Sequence, residues 1–549
     1  MARYRPALID AFRGASGAAF GRDVMAGLVV GAVALPLAVA FAIASGADPR
    51  AGLVTVVVAG TLAALLGGSR VQVTGPTGAF VVILYAIVAE HGFGNLLVAV
   101  LMAGVLLVLA GVFRLGALIK FIPYPVTTGF TAGIAVVIFV GQVQDLLGLR
   151  LMGLPAEPVD RLLEISRHIG DTAPWAVAVA LGTVVTIQGF KRFAPRVPGP
   201  VVALLLWTFV AAAAGLAVPT VGDRFGTLAG GLPSPALPEL SWGTVRTMFP
   251  SAVTIALLGA IESLLSAVVA DGMTGQRHDS DQELIGQGVA NIGSALFGGL
   301  AATGAIARTA TNVQNGGRTP VAALTHAAVV ALVLVAAAPL AGLVPMAVLA
   351  GILAVVAWNM SERHRFLRIL RMPRTDAGVM VAVFLLTVLI DLTVAVTVGM
   401  LLAAGVFLHR MSAMTQVGAV DPLRDEAPSA QRFAPEDVPP GVAVYSIDGP
   451  FFFGAADRFQ ETMSRIAETP RVVVLRMRAV PYLDATGLNA LEATIHGLRA
   501  KGAHVLLAGI QSQPLDFLER SGAMRLVGDA NVHRTTRDAL RHAARTLVA

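Results

Sequence analysis

Two polar interruptions constrain this chain more than any other feature. Val71-Gln72-Val73-Thr74-Gly75-Pro76-Thr77-Gly78 and Ala301-Ala302-Thr303-Gly304-Ala305-Ile306-Ala307-Arg308-Thr309 each break an otherwise apolar sequence with Gly and Thr, the first adding Pro and the second a charge. Thr74 and Thr303 stand 229 residues apart, one in each half of the hydrophobic region. Matched interruptions of this kind mark carriers whose binding site forms where half-helices begin at the bilayer midplane. Irregular backbone survives at that depth only where protein or a water-filled cavity satisfies it.

Composition places most of the chain in lipid. Of 549 residues, 56% are hydrophobic and 13% charged, against about a quarter charged in soluble proteins. Apolar stretches run at 24–45, 51–66, 77–90, 96–112, 122–147, 173–190, 199–217, 250–272, 284–298, 305–316, 321–338, 342–358, 375–391 and 392–410. Several fall short of the roughly 20 residues that span a bilayer; the third and tenth are the stretches that begin at the interruptions. The 229-residue shift also carries Asp23, where the first stretch begins, to Ala252, where the eighth begins. Two repeats of seven follow, and an odd number per repeat gives them opposite topology. The fold expected is therefore an α-helical polytopic membrane domain of about fourteen segments, in a 7+7 inverted repeat with broken helices 3 and 10.

The net charge of +6 comes almost entirely from Arg, with lysines only at 120, 191 and 501. These cations sit in loops between apolar stretches, the positive-inside pattern, rather than on one soluble face as in a nucleic-acid binder. Arg114, Lys120, Lys191, Arg192, Arg196, Arg363, Arg365, Arg368, Arg371, Arg374, His409 and Arg410 then share the cytoplasmic side of a bacterial inner membrane with both termini. No cleavable signal is apparent in residues 1–23, which read as a cytoplasmic lead-in. With no cysteine, disulfides and thiolate metal sites are excluded. The transport domain is expected over 24–410, a polar linker over 411–440, and a small α/β domain over 441–549, where Val442–Ile447, Val472–Met477 and His504–Gly509 read as strands.

Arg308 is the leading site residue, since an Arg in an apolar span is costly and marks function. Beside the free N–H groups of two helix starts it creates positive potential for an anion; the alternative is a structural pair with Glu262. Glu262 is either a proton relay or simply the countercharge of Arg308. Thr74, Thr77, Thr303 and Thr309 are either hydroxyl donors to substrate or, as each alone favours, back-bonded to helical carbonyls; Thr77 and Thr309, at the helix starts, are the better donor candidates. Gly78 and Gly304, like Gly75, either permit close backbone approach or serve packing alone. Ala307 lies on the same helix start, and Phe41 and Phe80 are candidate pocket walls. The run Asp271, Arg277, His278, Asp279, Asp281, Glu283 reads as a solvated loop with helix caps rather than a metal cluster. Asp145 and Asp391 lie at segment ends and read as caps or as exposed residues. No metal, cofactor or catalytic constellation is expected, so a carrier rather than an enzyme is indicated.

Several stretches resemble the SulP family of anion transporters, the sulfate permease group. Ala270-Asp271-Gly272-Met273-Thr274-Gly275-Gln276-Arg277-His278 with Glu283-Leu284-Ile285-Gly286-Gln287-Gly288 looks like that family's loop between helices 8 and 9. The run from Ala302 to Asn312 is similar to its helix 10 motif, and Leu35-Pro36-Leu37-Ala38-Val39-Ala40-Phe41-Ala42 to its helix 1 motif. The tail resembles the STAS domain, with Leu483-Asp484-Ala485-Thr486-Gly487-Leu488 in place of the signature loop. The resemblance implies a core domain moving against a gate domain, a homodimer, and Arg308 at the anion site. Leu37 and Phe41 stand where many relatives have Gln and Tyr, making the pocket less polar. Ala485 stands where STAS switch proteins carry a phosphorylatable Ser. The function expected is secondary active symport of a dicarboxylate such as fumarate or succinate with protons. Sulfate or bicarbonate transport and a passive anion channel are alternatives, and a nucleobase permease would not need Arg308. The partners expected are thus a small anionic substrate, the lipid bilayer and a second copy of the chain, with no nucleic acid.

Overall fold

The computed structural model describes residues 5–11, 17–119, 123–151, 154–155, 157–194, 197–226, 230–390, 392–419, 438–464 and 470–548. Lys120, Arg196, Asp391 and 420–437 of the expected linker lie outside them. The chain divides into two units, Met1–Met400 and Leu401–Ala549.

In the first unit every expected apolar stretch has become helix. Among the described residues, eight helices are long and apolar enough to cross a membrane, and Gly199–Ala213 and Pro320–Ala336 are shorter apolar ones. The third and fourth stretches are two helices that follow one another within Gly78–Val112 across a kink at Gly92, whose φ of 83° is left-handed. Nothing would obstruct a side chain there, so glycine is required for its backbone angle rather than for space. The tenth stretch is the nine-residue helix Ile306–Gln314. Helices Gly17–Ala44, Pro49–Leu66, Gly78–Val112, Trp242–Thr274, Ser280–Leu296 and Pro320–Ala336 pack on one another. Tyr124–Leu147, Pro174–Phe193, Gly199–Ala213, Met346–Met360 and Arg374–Leu389 make a second group.

The two interruptions meet. Strands β1 (Thr74–Gly75) and β2 (Thr303–Gly304) pair antiparallel, with Thr74 opposite Gly304 and Gly75 opposite Thr303. Each strand satisfies the other's backbone groups inside the helical unit, which is what non-helical backbone at membrane depth requires.

The second unit carries a five-stranded sheet: β3 (Gln416–Ala419), β4 (Val442–Asp448), β5 (Val472–Ala479), β6 (His504–Ala508) and β7 (Val532–His533), in sequential order. The β3–β4 pair is antiparallel and the rest are parallel. Alternate residues of β5 serve opposite faces. Val473 and Leu475 join the core under helices Phe453–Ser464, Ala485–Ala500 and Ser512–Ser521, while Val472 and Val474 pack against Thr536–Val548. Asp484 caps the helix that follows it, accepting from Gly487 N–H at 2.7 Å, as expected of an Asp at an N-cap. Part of the expected linker is structured: residues 411–414 end a helix, and Gln416–Ala419 is an edge strand. Its four residues include a glycine and no apolar run, so it carries little strand signal.

Candidate functional site

Two helix starts converge on the β1–β2 pair. Thr77 precedes the helix beginning at Gly78, and Ala305 precedes Ile306–Gln314; neither start has a side-chain cap. Both therefore present unsatisfied N–H groups and the positive end of a helix dipole. Ile306 and Ala307 are exposed, Thr77 and Glu262 half-buried, and Arg308 only 3% exposed.

Arg308 reaches back across the pair, and its Nη2 donates to the Pro76 carbonyl. A Cβ at Gly75 would stand 2.4 Å from Arg308 Nη1, so glycine is the residue that admits the guanidinium here. Arg308 Nη1 is buried without a hydrogen-bond partner. Glu262 is engaged elsewhere: its Oε2 accepts from the Thr77 hydroxyl at 3.0 Å. Among the described residues no ion pair within 4.0 Å joins Glu262 to Arg308. A cationic group thus lies between two dipole ends, with a carboxylate beside it on the hydroxyl of one helix start.

The other sequence candidates divide. Thr309 is buried and accepts from Val73 N–H at 3.0 Å and from the Ser266 hydroxyl at 3.1 Å. It braces the first interruption to Trp242–Thr274, not an open site. Thr74 and Thr303 are likewise occupied by Gln287 Nε2 at 2.6 Å and Ser263 Oγ at 2.7 Å. Gly304 admits Gln72, whose Nε2 would stand 2.2 Å from a Cβ there. A Cβ at Gly78 would meet Met360 Sδ at 2.8 Å and Ile138 Cδ1 at 3.1 Å. Phe80 is 1% exposed and turns its ring toward Gly259, and Phe41 is buried in Gly17–Ala44. A cavity of about 230 Å³ opens one turn beyond Thr77, from Val81 along the half-helix to Glu90 and His91, facing Ile138, Gln142 and Thr387 of the second helix group. Met360 and Ile138 lie over Gly78, and Ile138 also lines this cavity.

One structural group of residues escapes sequence reasoning. Glu283, Gln287, Asn291 and Ser294 fall on one face of Ser280–Leu296, all buried. Glu283 is 1% exposed, not part of a solvated loop. Its carboxylate accepts from Gly68 N–H and Ser69 N–H at 2.9 Å, Gln72 Nε2 at 2.7 Å and Gln287 Nε2 at 2.9 Å. Asn291 exchanges two bonds with Ala302, and Ser294 donates to Leu300 O at 2.6 Å. This stripe satisfies the irregular backbone leading into both strands. The signal was the 4-4-3 spacing of polar residues in an apolar helix. Asp271 and Asp279 do sit in a capping loop: Asp279 accepts from the N–H groups of Asp281 and Gln282, and Asp271 bonds His278 Nδ1 at 2.7 Å. Asp145 is paired with Arg224 at 3.2 Å.

Paired half-helices, an intramembrane cation between their starts and a soluble α/β tail define the class: a broken-helix membrane carrier. Residues 20–383 match the model of the sulfate permease family, and residues 436–539 that of the STAS domain. The chain belongs to the sulfate permease family and is an anion transporter of it, with a C-terminal STAS domain. It is 43% identical to YvdB of Bacillus subtilis (strain 168), provisionally named a sulfate transporter, over 94% of this chain and 96% of that one. It is 33% identical to the bicarbonate transporter BicA of Picosynechococcus sp. (strain ATCC 27264 / PCC 7002 / PR-6), over 95% and 94%. The structure of murine Slc26a9, an anion transporter, shares the fold, with a TM-score of 0.87, 18% identity and coverage of 98% and 94%.

Proposed function

We propose that this chain is a secondary active carrier that moves a dicarboxylate such as fumarate or succinate together with a proton across the bacterial inner membrane. The observation that carries the reading is Arg308, buried between two uncapped helix starts with Nη1 unpartnered, and Glu262 beside it on the Thr77 hydroxyl. The anion binds at the N–H groups of Gly78 and Ile306–Ala307, and Arg308 offsets part of its charge. Glu262 takes up the proton, which weakens it as the acceptor for Thr77 and ties substrate to proton. Movement of the helix group bearing both strands against the second group exposes the site alternately to each side. The chain works as a homodimer, with both termini and the STAS domain in the cytoplasm. Leu37 and Phe41 favour a substrate with a carbon skeleton over a small inorganic anion.

Sulfate or bicarbonate is the second reading, favoured by the names that YvdB and BicA carry. Uptake of labelled fumarate, succinate, sulfate and bicarbonate into proteoliposomes, with and without an inward proton gradient, separates the two. Concentrative fumarate or succinate uptake that collapses with the gradient supports the first. Gradient-independent uptake of sulfate or bicarbonate alone refutes it.

A further inference from the structure

The cavity between the two helix groups holds a second arginine. Arg161 lines it from Pro158–Arg167, a helix that packs on Tyr124–Leu147 of the second group. Its guanidinium carbon stands 5.3 Å from the ring centroid of Tyr85, which lines the same cavity from the half-helix that begins at Gly78. Arg161 thus reaches from one group to the other. Tyr85 is eight residues beyond Thr77, about 12 Å along the helix at the α-helical rise. The place Arg161 marks in the cavity is therefore distinct from the two helix starts.

An arginine kept for structure alone is spent on a carboxylate or on backbone carbonyls. Arg161 Nε is buried without a hydrogen-bond partner. Among the described residues no ion pair within 4.0 Å joins Arg161 to an acid. The neighbouring acids are placed otherwise. Asp145, within electrostatic reach of Arg161, is bonded to Arg224 at 3.2 Å. Glu90 faces His91 at 3.7 Å. Glu90 and Glu157 also line the cavity, but both are exposed, so water and salt screen them. The guanidinium is half-buried and is screened less. Its contact with the Tyr85 ring consumes none of its N–H donors. A cation in a cleft with low-dielectric walls concentrates anions there.

We infer that Arg161, seated on Tyr85, is a second anion-binding residue of this carrier and holds the oxygens of a carboxylate or other small oxyanion in the cavity, apart from the helix starts at Arg308. The forked donors of a guanidinium match such a group with two parallel bonds, and an acceptor there satisfies the orphaned Nε. The inference rests on the reading of Arg308 as the anion-site cation, since a subsite in the cavity serves transport only if the solute goes on to that site.

The absence of cysteine from the chain allows a test by charge replacement, because Arg161→Cys introduces a single thiol. Uptake of labelled fumarate, sulfate and bicarbonate into proteoliposomes is measured for wild type, Arg308→Ala and Arg161→Cys. Arg161→Cys raises KM about tenfold with kcat within about twofold, as loss of uniform binding requires. Methanethiosulfonate ethyltrimethylammonium, which fixes a positive charge on the thiol, returns KM to within about threefold of wild type. Neutral methyl methanethiosulfonate leaves KM raised, and the anionic sulfonatoethyl reagent raises it further. Thermal midpoints within a few degrees of wild type exclude simple misfolding. Arg161→Lys and Arg161→Met repeat the comparison without labelling should the Cys variant not fold: Lys stays within about threefold of wild type and Met does not. A wild-type KM in Arg161→Cys overturns the inference. So do three reagents that act alike, or a Lys variant as impaired as the Met one. Normal transport by Arg308→Ala, or no transport of any of the three anions by wild type, instead overturns the functional reading beneath it.

Discussion

Glu283→Gln tests how the broken backbone is held. The carboxylate uses both oxygens: Oε2 accepts from the N–H groups of Gly68 and Ser69, and Oε1 from Gln72 Nε2 and Gln287 Nε2. A glutamine at 283 offers one acceptor oxygen and one NH₂ group. Whichever way the amide turns, two donors face an NH₂ and lose their acceptor. A buried donor left unsatisfied costs about 1–3 kcal/mol. If the amide oxygen serves the backbone pair, Gln72 and Gln287 are the losers, and side chains can rotate toward other acceptors. The cost then lies near the lower end, about 2 kcal/mol in total. Glu283→Ala removes the acceptor for all four donors, two of them immobile backbone groups, and costs about 4 kcal/mol or more. The assay is the thermal midpoint of detergent-purified protein, in the order wild type, Glu283→Gln, Glu283→Ala, with transport falling in the same order. A Glu283→Ala protein that melts with wild type and transports normally would refute the idea that this stripe supports the interruptions.

Glu262→Gln keeps the shape but not the titratable group, so anion uptake should persist while pH-driven accumulation disappears; accumulation unchanged under a proton gradient counts against the coupling role. Gly75→Ala places a methyl 2.4 Å from Arg308 Nη1, displacing the guanidinium, and should cut transport at least about tenfold without loss of expressed, folded protein; unaltered uptake contradicts the geometry. In the STAS domain, burial holds His533 below the ordinary His range, and the neighbouring His542, 2.9 Å from its Nε2, adds to this against a smaller opposing pull from Asp538. The folded state binds fewer protons there than the unfolded one, so protection of helix Thr536–Val548 should weaken as pH falls through about 6.5. Hydrogen exchange in the full chain checks this, and His533→Phe should flatten the response.

The fold was legible because its two strongest signals are physical necessities. Apolar stretches of membrane-spanning length have few alternatives to helix, and the Gly-Thr interruptions at 74–78 and 303–309 have few to a paired, protein-lined backbone. The site was legible in part. Arg308 announced itself by the cost of its charge in an apolar span, and Glu262 by the same rule. The threonines did not sort themselves: Thr77 and Thr309 both stand near a helix start, yet one faces Glu262 and the other is consumed by Val73 and Ser266. Which hydroxyl is spent on scaffolding depends on contacts hundreds of residues away. Glu283 was misread for the opposite reason, since its charged neighbours Asp279 and Asp281 pointed to water while its partners Gly68, Ser69 and Gln72 lie more than two hundred residues earlier. The short strand Gln416–Ala419 lacked any composition signal.

The central claim is that two uncapped helix starts and the Arg308 guanidinium together hold a negative solute. Anion-induced thermal stabilisation of purified wild type and Arg308→Ala, titrated with fumarate, sulfate and bicarbonate, tests it most directly. The account predicts a concentration-dependent rise in wild type for the transported anion and none in Arg308→Ala, whose unliganded midpoint stays near wild type. An equal rise in both proteins would contradict it.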